Sequence, residues 1–248
     1  MSEVVHYAVA DDVATITLDS QHNRNALSRA LVSAVFEGLD RAEADDAVKV
    51  VVIRAEGRTF CAGADLSEAT GEGMEEGART IVELQRRIVA SPKPVVARVH
   101  GAVRAGGIGI VAACDIAVSA DDATFALTEV RLGLAASVIS LTVLPRMTNR
   151  AASRTLLTGE TFDGAAAAGM GLVTIAVPET QLDVELDRVL TDLRKGHPQG
   201  LREGKALLNA ELLAAMAEHG EERAALSARL FGSDAAREAM LAFLNRSK

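Results

Sequence analysis

The chain is predicted to adopt an α/β fold, and two observations carry that expectation. Runs of β-branched residues of strand length alternate with amphipathic helical patterns through the first part of the sequence. Beyond Pro178-Glu179-Thr180 the strand signals stop while the helical ones continue. The change divides the chain into a strand-and-helix core, residues 1–178, and a helical C-terminal region, residues 179–248.

Strands are expected near residues 4–10 and 13–18. Ser28 then has the right chemistry to cap a helix that carries Leu31, Val32, Val35, Phe36 and Leu39 on one face. A third strand follows at 48–54, and Ile81, Leu84 and Ile88 mark the apolar face of a second helix. Between them, a loop is expected from Glu68 to Arg79, with Thr70-Gly71-Glu72-Gly73-Met74 read as mobile. Further strands are expected at 94–99 and 115–119. The last third holds amphipathic helices at 182–193, 201–216 and 235–244. Gly196-His197-Pro198 and Phe231-Gly232-Ser233-Asp234 separate them, with Ser233 or Asp234 as the cap of the last.

Chemistry concentrates in two turns of small residues. Phe60-Cys61-Ala62-Gly63-Ala64-Asp65-Leu66 follows the strand at 48–54, and its near-absent side chains let a ligand approach main-chain amides. His100-Gly101-Ala102-Val103-Arg104-Ala105-Gly106-Gly107-Ile108-Gly109 follows the strand at 94–99 in the same way. Two such turns can make an oxyanion hole; alternatively, each is a tight connection that needs small residues for packing alone. The glycines do not form G-x-G-x-x-G, no Gly-Lys-Ser/Thr of a P-loop occurs, and no G-x-S-x-G elbow is present. A third candidate is Glu129, a carboxylate in small and apolar surroundings within Phe125-Ala126-Leu127-Thr128-Glu129-Val130-Arg131-Leu132-Gly133-Leu134. It is either an acid/base group or a structural carboxylate paired with Arg131 or another base.

Composition narrows the partners. With 248 residues, 49% of them hydrophobic, the chain can bury a sizeable core. A net charge of −8, 3% aromatic residues and no tryptophan argue against a nucleic-acid partner. No stretch approaches the length of a membrane span and residues 1–10 lack a secretory pattern, so no membrane association and a cytoplasmic location are expected. Cys61 and Cys114 have no disulfide or metal-ligand spacing, and no metal is expected.

Taken in order, Arg24-Asn25-Ala26-Leu27-Ser28, the 60–66 turn, the glycine turn ending at Gly109, Ala113-Cys114-Asp115-Ile116 and Thr128-Glu129-Val130-Arg131-Leu132-Gly133 resemble the crotonase superfamily, the enoyl-CoA hydratase/isomerase family. Residues 231–248 are similar to that family's C-terminal helix, so the resemblance spans nearly the whole chain. It implies a crotonase-like spiral of ββα units with a C-terminal helical trimerisation region, assembled as a homotrimer or a dimer of trimers. It also implies an acyl-CoA thioester substrate and no separate cofactor, coenzyme A being part of the substrate. The oxyanion-hole amides carry over to Ala64 and Gly106, and the acid/base to Glu129. Coenzyme A contacts carry over to Arg24, Ala26, Ala62, Asp65 and Leu66, with Lys248 near a phosphate from a neighbouring subunit.

The chain departs from the family's two-glutamate hydratases at three places, the first of them the most consequential for the chemistry. Their first glutamate falls on Gly109; a triple glycine is reduced to Ala105-Gly106-Gly107, and Leu134-Ala135-Ala136-Ser137 lacks the usual proline and glycine. Hydration of a 2-enoyl thioester is the expected reaction. Isomerisation of a 3-enoyl thioester, which needs one base only, is the alternative, as is a non-catalytic acyl-CoA-binding role. A peptidase on a related spiral would need a serine and a histidine in register, and neither is evident.

Overall fold

The computed structural model describes residues 4–65, 67–68 and 73–246. β1 (Val5–Ala10) and β2 (Val13–Leu18) form an antiparallel hairpin closed by Asp11 and Asp12. Both aspartates have positive φ, at 48° and 61°, as a two-residue hairpin turn matching the strand twist requires. α1 (Arg29–Ala44) crosses back so that β3 (Val50–Ala55) lies parallel to β2. Ser28 caps α1 as expected, its hydroxyl accepting the Leu31 N–H at 3.3 Å, and Leu31, Val32, Val35 and Leu39 are buried beneath.

From β3 onward the chain repeats one path. β3, β4 (Thr59–Cys61) and α2 (Gly73–Ala90) make one turn, and β5 (Val95–Val99), β6 (Ala102–Arg104) and α3 (Gly106–Ala113) the next. β7 (Ile116–Ala120) and β8 (Thr124–Ala126) begin a third, which continues through a 3-10 turn (Thr128–Leu132) into α4 (Ser137–Arg146) and α5 (Asn149–Thr158). β9 (Thr161–Asp163), α6 (Gly164–Met170) and β10 (Ile175–Val177) complete the strands. Each turn adds one strand to a six-stranded sheet, ordered β1-β2-β3-β5-β7-β10, and one to a four-stranded sheet, ordered β4-β6-β8-β9. This is a crotonase-type spiral of ββα turns.

α7 (Leu182–Arg194), α8 (Pro198–Phe231) and α9 (Asp234–Arg246) follow Pro178. Ser233 caps α9, its hydroxyl accepting the Ala236 N–H at 3.2 Å. Leu182, Leu186, Val189, Leu212 and Met216 join the same buried cluster as Ile16, Ile53, Leu84 and Phe125, so core and helical region share one interior. Among the described residues, no helix is long and apolar enough to cross a membrane.

The structure differs from expectation where elements are short or wholly buried. β4, β6, β8, β9 and β10 have three residues each, too few for a period of two to show. The latter half of the expected glycine turn is α3, whose eight residues are all buried and therefore present no polar face to betray a helix. α2 begins at Gly73, so Gly73, Met74 and the rest of the expected loop up to Arg79 are helical, while Thr70, Gly71 and Glu72 lie outside the described residues. α8 runs on to Phe231 rather than ending near Met216.

Candidate active site

The first candidate amide is oriented by its own peptide unit. Leu27 N–H donates to Gly63 O at 2.8 Å, and the Gly63–Ala64 bond is trans, so the Ala64 N–H must point the opposite way from that carbonyl. Among the described residues it has no protein acceptor, and Ala64 is exposed on the wall of a cavity. Gly63 makes the reversal by taking φ of 92°, a region that favours glycine. A Cβ there would also lie 2.9 Å from Ala105 Cβ, on the second turn.

The second amide obeys the same rule. Ala105 O accepts the Ile108 N–H at 2.9 Å inside the first turn of α3, so the Gly106 N–H of that peptide unit points back out of the helix end. It too has no protein acceptor among the described residues. The positive end of the α3 dipole reinforces it, and a Cβ on Gly106 would stand only 3.8 Å from Ala64 N. The geometry therefore presents two neighbouring free donors to the cavity.

Glu129 lines the same cavity. The 3-10 turn that carries it closes on Gly133, left-handed at φ 69°, and Glu129 O accepts the Gly133 and Leu134 N–H groups. Its Oε2 is sealed from solvent and, among the described residues, has no hydrogen-bond partner. Burial pushes the carboxyl pKa up to about 7, opposed in part by a hydrogen bond from the residue's own backbone. Arg131 instead donates through Nε to Thr158 O at 3.3 Å, so the alternative of a Glu129–Arg131 ion pair does not hold.

The cavity has a volume of about 700 Å³, within the range of small-molecule sites. Leu27, Ala78, Ile81, Val138, Ile139 and Phe231 supply apolar wall, and α8 closes one side with Ser227 and Phe231. Asp65 also lines it; its carboxylate accepts from Ser67 and Asn23, which hold its pKa below the usual value. Gly109 is fully buried behind the wall. A Cβ placed on it would lie 2.6 Å from Ile139 Cγ2 and 3.0 Å from Gln85 Oε1, so side-chain space at 109 is already filled by Ile139 and the Gln85–Thr142 pair (2.6 Å).

The structure thus brings Ala64, Asp65, Gly106 and Glu129 to the lining of one cavity. Arg24, Ala26 and Ala62 stand outside it: Arg24 is exposed, Ala26 is buried, and Ala62 donates its N–H to Arg24 O at 3.1 Å. Leu66 and Lys248 lie outside the described residues. Sequence reasoning missed Ile139 and Ser227, whose place on the wall depends on helix packing that no local pattern encodes.

An α/β spiral that turns two free amides and a proton-hungry carboxylate into one apolar cavity defines a site for a substrate in which an oxygen gains negative charge. The sequence profile of the family described as enoyl-CoA hydratase/isomerase matches residues 9–248. A "Probable enoyl-CoA hydratase" of Bacillus subtilis is 32% identical over 98% of this chain and 96% of its own. A hydroxycinnamoyl-CoA hydratase-lyase of Pseudomonas fluorescens is 32% identical over 82% of this chain and 77% of its own. The crystal structure of an enoyl-CoA hydratase from Mycobacterium avium superposes with a TM-score of 0.94 at 49% identity, covering 99% of this chain and 98% of that one. The chain belongs to the enoyl-CoA hydratase/isomerase family of the crotonase superfamily.

Proposed function

We propose that the protein is an acyl-CoA enzyme that stabilises a thioester enolate between the Ala64 and Gly106 amides and hydrates 2-enoyl-CoA to 3-hydroxyacyl-CoA. The observation that carries this reading is Glu129, a carboxyl whose buried Oε2 has no hydrogen-bond partner among the described residues and whose pKa is about 7, in the lining of the cavity that both free amides reach. In its ionised form Glu129 takes a proton from water as the water oxygen bonds C3, and the electrons of the double bond move through C2 to the thioester oxygen. The two N–H groups hold that negative oxygen, each such donor being worth about 3 to 4 kcal/mol in the transition state. Glu129 then returns the proton to C2, and the carbonyl re-forms. One carboxyl serves as base and then as acid, so no group is needed at Gly109 to balance the reaction.

A second reading is favoured by Ile139. Because it fills the space beside Gly109, α3 offers no polar side chain to hold a water, and the same Glu129 can instead move a proton from C2 to C4 of a 3-enoyl thioester. The deciding experiment incubates the protein separately with crotonyl-CoA and a 3-enoyl-CoA and follows the conjugated double bond by absorbance. Loss of conjugation from crotonyl-CoA, with 3-hydroxybutyryl-CoA as product, is the expected result. Gain of conjugation from the 3-enoyl ester alone assigns isomerisation, and binding of both without turnover assigns a non-catalytic role. The assembly that goes with this reading is a homotrimer or dimer of trimers, supported by leucines left exposed on α8.

A further inference from the structure

We propose that Asn25 is a positioning residue that holds the Ala64 amide in register with the enolate oxygen; the proposal rests on the enolate reading above. Asn25 is 1% exposed, does not line the cavity, and has a carboxamide whose oxygen and nitrogen are both engaged. Its Oδ1 accepts the Ser20 N–H at 2.6 Å, and its Nδ2 donates to Thr59 O at 2.8 Å and Glu56 O at 3.2 Å. Thr59 opens β4, five residues before Ala64. The carboxamide therefore ties the 20–27 segment to the strand that leads into the first amide.

The backbone on either side of Asn25 completes the tie. Arg24 O accepts the Ala62 N–H at 3.1 Å, and Leu27 N–H donates to Gly63 O at 2.8 Å. The second bond fixes the plane of the Gly63–Ala64 peptide and hence the direction of the Ala64 N–H. To reach both contacts the chain takes the left-handed region twice in succession, at Arg24 (φ 59°) and Asn25 (φ 55°). Two adjacent non-glycine residues do not stay in that region unless their surroundings hold them. The carboxamide supplies that hold: Ser20 N–H meets Asn25 Oδ1 while Asn25 N–H meets Ser20 O at 2.8 Å, closing a ring across the turn. If it is lost, Leu27 can drift and the Ala64 N–H rotates away from the oxygen. Hydrogen bonds weaken steeply with angle, and a displacement of about 1 Å in such a site costs on the order of a hundredfold in rate.

Two variants separate this role from simple folding. Asn25→Gly keeps access to positive φ but removes every side-chain bond; Asn25→Asp keeps the acceptor for Ser20 N–H but loses both donors. Each is measured, with the full chain, for kcat and KM on the enoyl-CoA ester it turns over, and for the infrared stretch of ¹³C-carbonyl butyryl-CoA, a saturated ester inert to the reaction. The expected result is a 10- to 100-fold fall in kcat, a KM within about threefold of wild type, and a bound carbonyl stretch moved back towards that of free thioester. Wild-type kcat and stretch in both variants, or failure of both to give folded protein by circular dichroism, would overturn the positioning role. A wild-type protein that binds butyryl-CoA without shifting its carbonyl stretch would instead remove the oxyanion reading itself.

Discussion

Burial of the Glu129 carboxyl costs stability when it ionises, and the sign of that cost is measurable. Its carboxyl titrates near 4.5 when free and near 7 in the fold, so the native state binds the proton more tightly than the unfolded chain. The stabilising contribution is therefore complete below about pH 4.5 and lost as pH rises through 7, a difference of up to about 3 kcal/mol. Glu129→Gln, which cannot ionise, is expected to melt higher than wild type at pH 8, with the gap closing towards pH 5 in a calorimetric series. A gap that widens on acidification would contradict the burial of this carboxyl. The same variant should lose roughly 10² to 10⁴ in kcat while still binding butyryl-CoA, since general acid–base groups contribute about that much. In the wild type, kcat/KM should rise with pH along a limb near 7, because the proposed reaction starts from the ionised carboxylate. Ala64→Pro removes a donor instead of a proton carrier, so turnover should fall about 10²- to 10³-fold at every pH, with the limb unmoved.

At the scale of elements, α3 carries strain where it meets the site. Ala105, just before the helix, takes φ of 44° and ψ of −116°, a conformation that suits glycine and costs an alanine roughly 1 to 3 kcal/mol. Ala105→Gly is expected to raise the urea midpoint by about 1 kcal/mol of stability, because relief of strain exceeds the added freedom of the unfolded chain. A lowered midpoint would mean that the native turn is not strained at this residue. The turn is also where sequence and structure part company. β1, β2, β3, β5 and β7 were legible because each is five or six residues long and made mostly of β-branched or apolar residues, with at most one or two polar ones among them. The three-residue strands of the second sheet have no period to detect, and α3 hides inside an apolar run. Ala64, Gly106 and Glu129 were legible as small-residue turns and an isolated carboxylate, but only in combination with the other motifs in register. The Asn25 bonds to Glu56 and Thr59 join residues more than 30 positions apart, and the Ile139 contact with Gly109 depends on how α4 seats against α3. No local pattern specifies either.

At the scale of the whole molecule, α8 faces the core with a side that mixes polar and apolar residues. Lys205, Asn209, Leu212 and Met216 form one buried stripe, at spacings of four, three and four residues. Lys205 Nζ meets Asp115 Oδ2 at 2.8 Å, Ile88 O at 2.9 Å and Lys93 O at 3.0 Å, while Asn209 Nδ2 donates to Asp115 Oδ1 at 3.0 Å. Burial lowers the Lys205 pKa and the Asp115 charge opposes it, so the pair is anchored by satisfied hydrogen bonds at both ends. Leu207, on the side of the helix away from that stripe, and Leu208, beside it, are each left 82% exposed. Adjacent leucines open to water on a helix this long favour association, since burying each gains about 1.5 to 3 kcal/mol. A second copy of the chain is the occupant consistent with the proposed trimer. Sedimentation equilibrium should then give three or six times the 26.0 kDa chain mass. The double variant Leu207→Glu/Leu208→Glu should shift the distribution to lower mass. Its far-ultraviolet circular dichroism should stay unchanged, because neither leucine contributes to the buried stripe that holds α8 in place. A wild-type chain that sediments as a monomer, or a double variant with unaltered mass, would show that this face of α8 is not where copies meet.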